Sequence, residues 1–84
     1  DSRESLYLRI KKLAVKYRAL ERLYRTKADC VFFKADGAER IVAGLEELGV
    51  AVRRDGDYLC VFAGNRAEND VAVESLATVL KEME

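Results

Sequence analysis

Leu6, Ile10, Leu13, Tyr17 and Leu20 recur at steps of four, three, four and three, which sets them on one face of a helix. Arg9, Lys11, Lys12, Lys16 and Arg18 fill its flanks and back. The stripe is too short for a coiled coil and reads as a packed core face. Leu8 and Val15 fall off it, so this helix is expected to touch something on a second side. From Leu20 to Lys27 the helical pattern weakens, and Thr26 to Asp29 read as a connection. Cys30-Val31-Phe32-Phe33 has strand composition, with Cys30 and Phe32 on one face and Val31 and Phe33 on the other. Asp36-Gly37 breaks the strand and starts a second helix, whose buried face is Ile41, Val42, Leu45 and Leu48. Gly49 suits its left-handed C-terminal position. Val50 to Arg53 then reads as a strand and Tyr58 to Ala63 as another, with hairpin chemistry at Asp55-Gly56. Flanking Arg54 and Asp57 suggest a loop longer than two residues. Asn65 can cap a third helix, with Glu68 completing a capping-box-like pair. Val73, Leu76, Leu80 and Met83 form its stripe.

The order helix-strand-helix-strand-strand-helix predicts an α/β (α+β) two-layer sandwich, a small mixed sheet with helices on one face. A strand-helix-strand unit favours a right-handed crossover between parallel neighbours. The 84 residues make one domain. The chain opens on Asp1, not on a methionine, as expected of a piece of a longer protein.

Charge adds an asymmetry. Residues 1–34 carry ten Lys/Arg against four Asp/Glu, and residues 35–84 carry five against eleven, so the chain as a whole is neutral. Basic residues surround the first helix without clustering with aromatics, so solvated faces are the simplest reading. No apolar run approaches the ~20 residues of a membrane span, and no signal peptide is visible. Cys30 and Cys60 each sit in an apolar strand at a spacing unsuited to zinc, and the chain has no histidine. Buried free thiols in a reducing, cytoplasmic setting are expected. Without histidine, Ser-His and Cys-His catalysis are excluded. There is no Gly-rich phosphate loop, and no lysine sits in the apolar setting that Schiff-base chemistry needs.

Two features carry candidate chemistry. Arg53 and Arg54 end a strand, where a guanidinium can grip phosphate or carboxylate through paired N–H donors. If helices cover one face of the sheet, the other presents Cys30, Phe32, Tyr58, Cys60 and Phe62. An apolar patch of that kind marks an interface. Homodimerisation through it, or cover from the first helix, is expected.

Residues 24–81 resemble the C-terminal small domain of fold-type I pyridoxal-phosphate enzymes, histidinol-phosphate aminotransferases above all. The resemblance rests on three runs. They are Thr26-Lys27-Ala28-Asp29-Cys30-Val31-Phe32-Phe33, then Leu45-Glu46-Glu47-Leu48-Gly49-Val50-Ala51-Val52-Arg53, then Tyr58-Leu59-Cys60-Val61-Phe62-Ala63-Gly64-Asn65-Arg66-Ala67-Glu68-Asn69-Asp70. It implies a linking helix over 1–22 and a small-domain core over 23–84. It also implies a large domain as partner, which holds pyridoxal phosphate and its lysine, so this part carries no catalytic or cofactor-binding residue and is inactive alone. Arg53 matches the family arginine associated with the substrate's phosphate or carboxylate. The family's second arginine falls on Cys60, and its usual Asn falls on Asp29. A thiol cannot replace a bidentate guanidinium, so the departure implies altered chemistry or specificity, or a degenerate member. The small domain of a related decarboxylase of the same fold family is an alternative. The rival class is a binding module that stacks single-stranded RNA on Phe32, Tyr58 and Phe62. Zero net charge and the lack of an RNA-binding signature argue against nucleic acid.

Overall fold

The computed structural model describes residues 6–25, 31–61 and 66–83. Seven elements follow in order: α1 (Leu6–Lys16), β1 (Leu20–Arg25), β2 (Val31–Ala35), α2 (Ala38–Glu47), β3 (Val52–Asp55), β4 (Tyr58–Val61) and α3 (Arg66–Glu82). The α+β two-layer architecture is the expected one. Its details differ from the sequence reading in three places.

The first is β1. The Leu6-to-Leu20 stripe promised a helix through the segment, yet α1 ends at Lys16. Leu20 is buried, but as the first residue of a strand. No glycine or proline stops the helix. The last α-type bond runs from the Tyr17 N–H to the Leu13 carbonyl, after which Asp36 N–H bonds to the Ala19 carbonyl at 2.8 Å. Pairing with β2 then takes up one edge of the Leu20–Arg25 backbone, with a register irregularity between Leu20 and Arg22. Tertiary pairing has overridden a weak helical preference.

The second is the sheet. Its order is β1-β2-β4-β3 and every neighbouring pair is antiparallel, so it is not mixed. β2 and β3 do run in the same direction, as the crossover through α2 requires. They are not neighbours, because the hairpin returns β4 between them. That placement gives the two most apolar strands, β2 and β4, a partner on each edge and leaves β3 (Val-Arg-Arg-Asp) outermost, where charged residues blunt an edge.

The third is the turn. Asp55 pairs with Tyr58, so the loop is the two residues Gly56-Asp57 and no longer. Gly56 has φ +60°, the positive value that two-residue hairpins need at their first central position. β3 also starts two residues later than expected. Gly49 takes its expected place: with φ +83° it lets Val50 N–H reach the Leu45 carbonyl at 2.9 Å and its own N–H reach the Glu46 carbonyl at 3.0 Å. These two bonds are the Schellman pattern. The Asn65–Glu68 cap includes Asn65, which lies outside the described residues.

One core lies between sheet and helices. Val31, Phe33 and Leu59 from the sheet meet Leu6, Ile10, Ile41, Leu45, Val73, Leu76 and Leu80 from the helices. Each such large side chain, once fully buried, contributes about 1.5–3 kcal/mol. α1 belongs to this layer, against β1 and α3, so it does not cover the opposite face of the sheet. Leu8 and Val15, off the core stripe of α1, are exposed, and Leu48, expected in the core, is 49% exposed at the end of α2. α2 and α3 approach closely at Gly44, where a Cβ would lie 2.9 Å from Val79 Cγ2. Glycine is there for closeness.

Candidate functional site

Residues directly paired across antiparallel strands share a face. The register therefore divides the sheet into a sealed face and an open one. On the sealed face Leu23, Phe33 and Leu59 stand in one row, and Arg54 ends it at the edge. On the open face one row is Tyr24, Phe32, Cys60 and Arg53, and the next is Arg22, Lys34, Tyr58 and Asp55.

This arrangement separates the two adjacent arginines. Arg54, on the helix side, bonds Glu39 of α2, Nη1 to Oε1 at 2.8 Å. The hydrogen bond and charge of Arg54 hold the Glu39 carboxyl below its usual range, and Glu39 in turn raises the Arg54 guanidinium. Arg54 is thus committed to an ion pair. The Arg53 side chain is on the other face and, among the described residues, makes no hydrogen bond or ion pair. It is the guanidinium available to a ligand. Directly across from it stands Cys60, 1% exposed and in no disulfide. The two positions singled out in the sequence are therefore brought side by side, in the middle of an open face.

Beside them lies an aromatic cluster. Tyr24 stacks on Phe32 with ring centroids 5.2 Å apart and meets Tyr58 edge-on at 5.1 Å. Tyr24 is 40% exposed. Desolvation by its neighbours, then the charges of Asp55, Tyr58 and Cys60, push its phenol above the ordinary 10.0. Arg22 and Lys34 border this cluster. Sequence reading found Phe32, Tyr58 and Cys60 but missed Tyr24, Arg22 and Lys34. The alternation of Leu20, Arg22 and Tyr24 against Glu21, Leu23 and Arg25 was the available signal. Cys30, Phe62 and Asp29 lie outside the described residues.

The Glu68-Asn69-Asp70 run occupies the first turns of α3. Asp70 pairs with Arg9 of α1, tying the first helix to the last. Asn69 Oδ1 is buried without a hydrogen-bond partner, which costs about 1–3 kcal/mol. No helix of the described residues is long and apolar enough to cross a membrane. No group of three or more His, Cys, Asp or Glu among them could hold a metal.

Chemically, the open face offers one uncommitted guanidinium, a neutral thiol beside it and an aromatic surface adjoining both. That set can hold an anion and cover an apolar group. It contains no nucleophile-base pair. Comparison with protein-family models, with curated proteins and with solved structures finds no match to this chain.

Proposed function

We propose that this chain is the C-terminal small domain of a histidinol-phosphate aminotransferase-like, pyridoxal-phosphate-dependent enzyme, inactive alone. Its open sheet face serves the substrate and the large cofactor-binding domain. One observation carries the reading. The described parts of the resembling runs fall in order on β2 (from Val31), on the end of α2 with β3, on β4 and on the start of α3, and Arg53 stands uncommitted across from Cys60. Arg53 holds the phosphate or carboxylate of the substrate. Cys60 leaves that anion with one guanidinium where the resemblance supplies two. Pyridoxal phosphate supplies the electron sink for amino-group transfer when bound to such an enzyme. Its place is the large domain, and no residue here is assigned to it.

Two measurements on the chain test this. Pyridoxal phosphate added to it should give no stable internal aldimine band in the visible spectrum, and such a band would place the cofactor lysine in this chain and sink the reading. Cys60→Arg restores a second guanidinium opposite the first. It should strengthen binding of an amino alcohol phosphate by about tenfold, the worth of one charged hydrogen bond. Unchanged affinity in a folded variant would remove Cys60 from the site.

The aromatic cluster favours a second reading, a module that stacks single-stranded RNA on Tyr24, Phe32 and Tyr58 with Arg22, Lys34 and Arg53 on the phosphates. An RNA oligonucleotide should then bind with an affinity that falls steeply with salt. Absence of binding at low salt would rule it out.

A further inference from the structure

We propose a second anion site, remote in sequence from Arg53 and independent of the aminotransferase reading, that binds a phosphate dianion in the groove between the end of α1 and the start of α2. The groove has a volume of about 590 Å³, within the ~300–1,000 Å³ of ordinary ligand pockets. Lys16, Arg18 and Arg40 line it, with Asp36, Gly37 and Met83.

Three cations from three segments converge here. Lys16 closes the last turn of α1, Arg18 lies in the turn before β1, and Arg40 stands in the first turn of α2. Buried Tyr17 forms a wall, and the Lys16 ammonium is held 5.4 Å from its ring centroid. Among the described residues none of the three cations has an ion-pair partner. Among the described residues Asp36 is the only acid on the lining and bonds none of them, a surplus of two positive charges among those residues. The surplus stands out in a chain of zero net charge, where Arg9 and Arg54 have each found a carboxylate. Like charges gathered without neutralisation repel, and a ligand carrying two negative charges would relieve that.

The backbone adds to the same end of the groove. Gly37 sits at φ +74° before α2, and no side chain caps that helix. A Cβ at Gly37 would meet only Met83 Cε, at 2.8 Å, the end of a flexible side chain, so the positive φ is what calls for glycine at this edge of the groove. A phosphate group matches this set by charge and by its several acceptor oxygens, which two guanidinia and an ammonium can share. Free phosphate and a phosphomonoester present the same dianion.

The test is a residue-resolved amide NMR titration of the chain with inorganic phosphate and, separately, glycerol 3-phosphate, against sodium chloride of equal ionic strength. A set of shifts on residues 16–19 and 36–40, distinct from any at Arg53 and Cys60, should appear with both ligands. Larger shifts with glycerol 3-phosphate would identify a phosphomonoester as the better occupant, and equal shifts would identify the bare anion. The Arg18→Gln/Arg40→Gln double variant should weaken binding at least about tenfold while its spectrum stays folded, and Arg53→Gln should leave these shifts alone. Binding of glycerol 3-phosphate should also fall between pH 7.5 and pH 5, as the second ionisation of a phosphomonoester, about pH 6, is reversed. Shifts no larger than those in chloride, or full binding in the folded double variant, would overturn the proposal.

Discussion

The two faces of the sheet are built from the same strands, one residue out of step, and they have opposite characters. Phe33 is fully buried against three helices, whereas its neighbour Phe32 lies on the open side in contact with Tyr24. Arg54 is tied to Glu39 on the helix side, whereas Arg53, its neighbour, is uncommitted on the open side. The sealed face holds the domain together. The open face carries aromatics, cations and a thiol that folding of this chain does not use in the same way. The separation lets the chemistry of one face vary without loss of the core.

Truncation should break this comparison most sharply. Phe33→Ala should cost about 3–5 kcal/mol in chemical denaturation, as core aromatics do. Phe32→Ala should cost much less, within the ~0.5–1.5 kcal/mol of an aromatic contact beyond partial burial. Equal losses would mean that the open face is covered within the single chain. Next is the close approach of α2 and α3. Gly44→Ala should destabilise by about 1–3 kcal/mol through overpacking against Val79, outweighing a helix-propensity gain of up to ~1 kcal/mol. Val79→Ala in the same chain should relieve part of that loss, so the pair should be non-additive in a double-mutant cycle.

The state of association sharpens the comparison further. If the open face awaits a partner, the chain should dimerise reversibly at high concentration, and Phe32→Lys should abolish the dimer in sedimentation equilibrium. Strictly monomeric behaviour of the parent chain would count against an interface there.

Ionisation gives the smallest effects, one on each face. The Tyr24 phenol is raised in the folded chain, so the stability it contributes is present below its ordinary 10.0 and is lost as pH rises through the folded value. Tyr24→Phe should flatten the alkaline limb of stability against pH. Glu39 behaves oppositely. Its carboxyl is lowered, so its contribution is present above its ordinary 4.5 and is lost as pH falls through the folded value. Glu39→Gln should flatten the acid limb slightly, because the pair with Arg54 is exposed and screened by salt.

The sealed face was legible in the sequence because burial writes itself as periodicity. Ile41 and Leu45, then Val73, Leu76 and Leu80, and the alternation of Val31 and Phe33 all fall where their spacing puts them. β1 was not legible, since Leu20 continues a helical stripe and also begins an alternating strand, and only pairing with β2 decides between them. Strand order was likewise hidden: direction follows from the crossover, but the insertion of β4 between β2 and β3 depends on a hairpin reversing after two residues. Of the site, Arg53, Cys60, Phe32 and Tyr58 were readable as strand residues. That Arg54 would be taken by Glu39, leaving Arg53 alone, required the packing of α2 beside β3.

The central claim is that the open face binds an anion through Arg53. Its most direct test is a residue-resolved NMR titration with O-phosphoethanolamine, an amino alcohol phosphate, on the parent chain and on Arg53→Gln and Arg54→Gln variants. A set of shifts on Arg53 and Cys60, separate from those of the groove at residues 16–19 and 36–40, should weaken at least about tenfold in Arg53→Gln and persist in Arg54→Gln. Binding that survives loss of Arg53 but not of Arg54 would contradict the account.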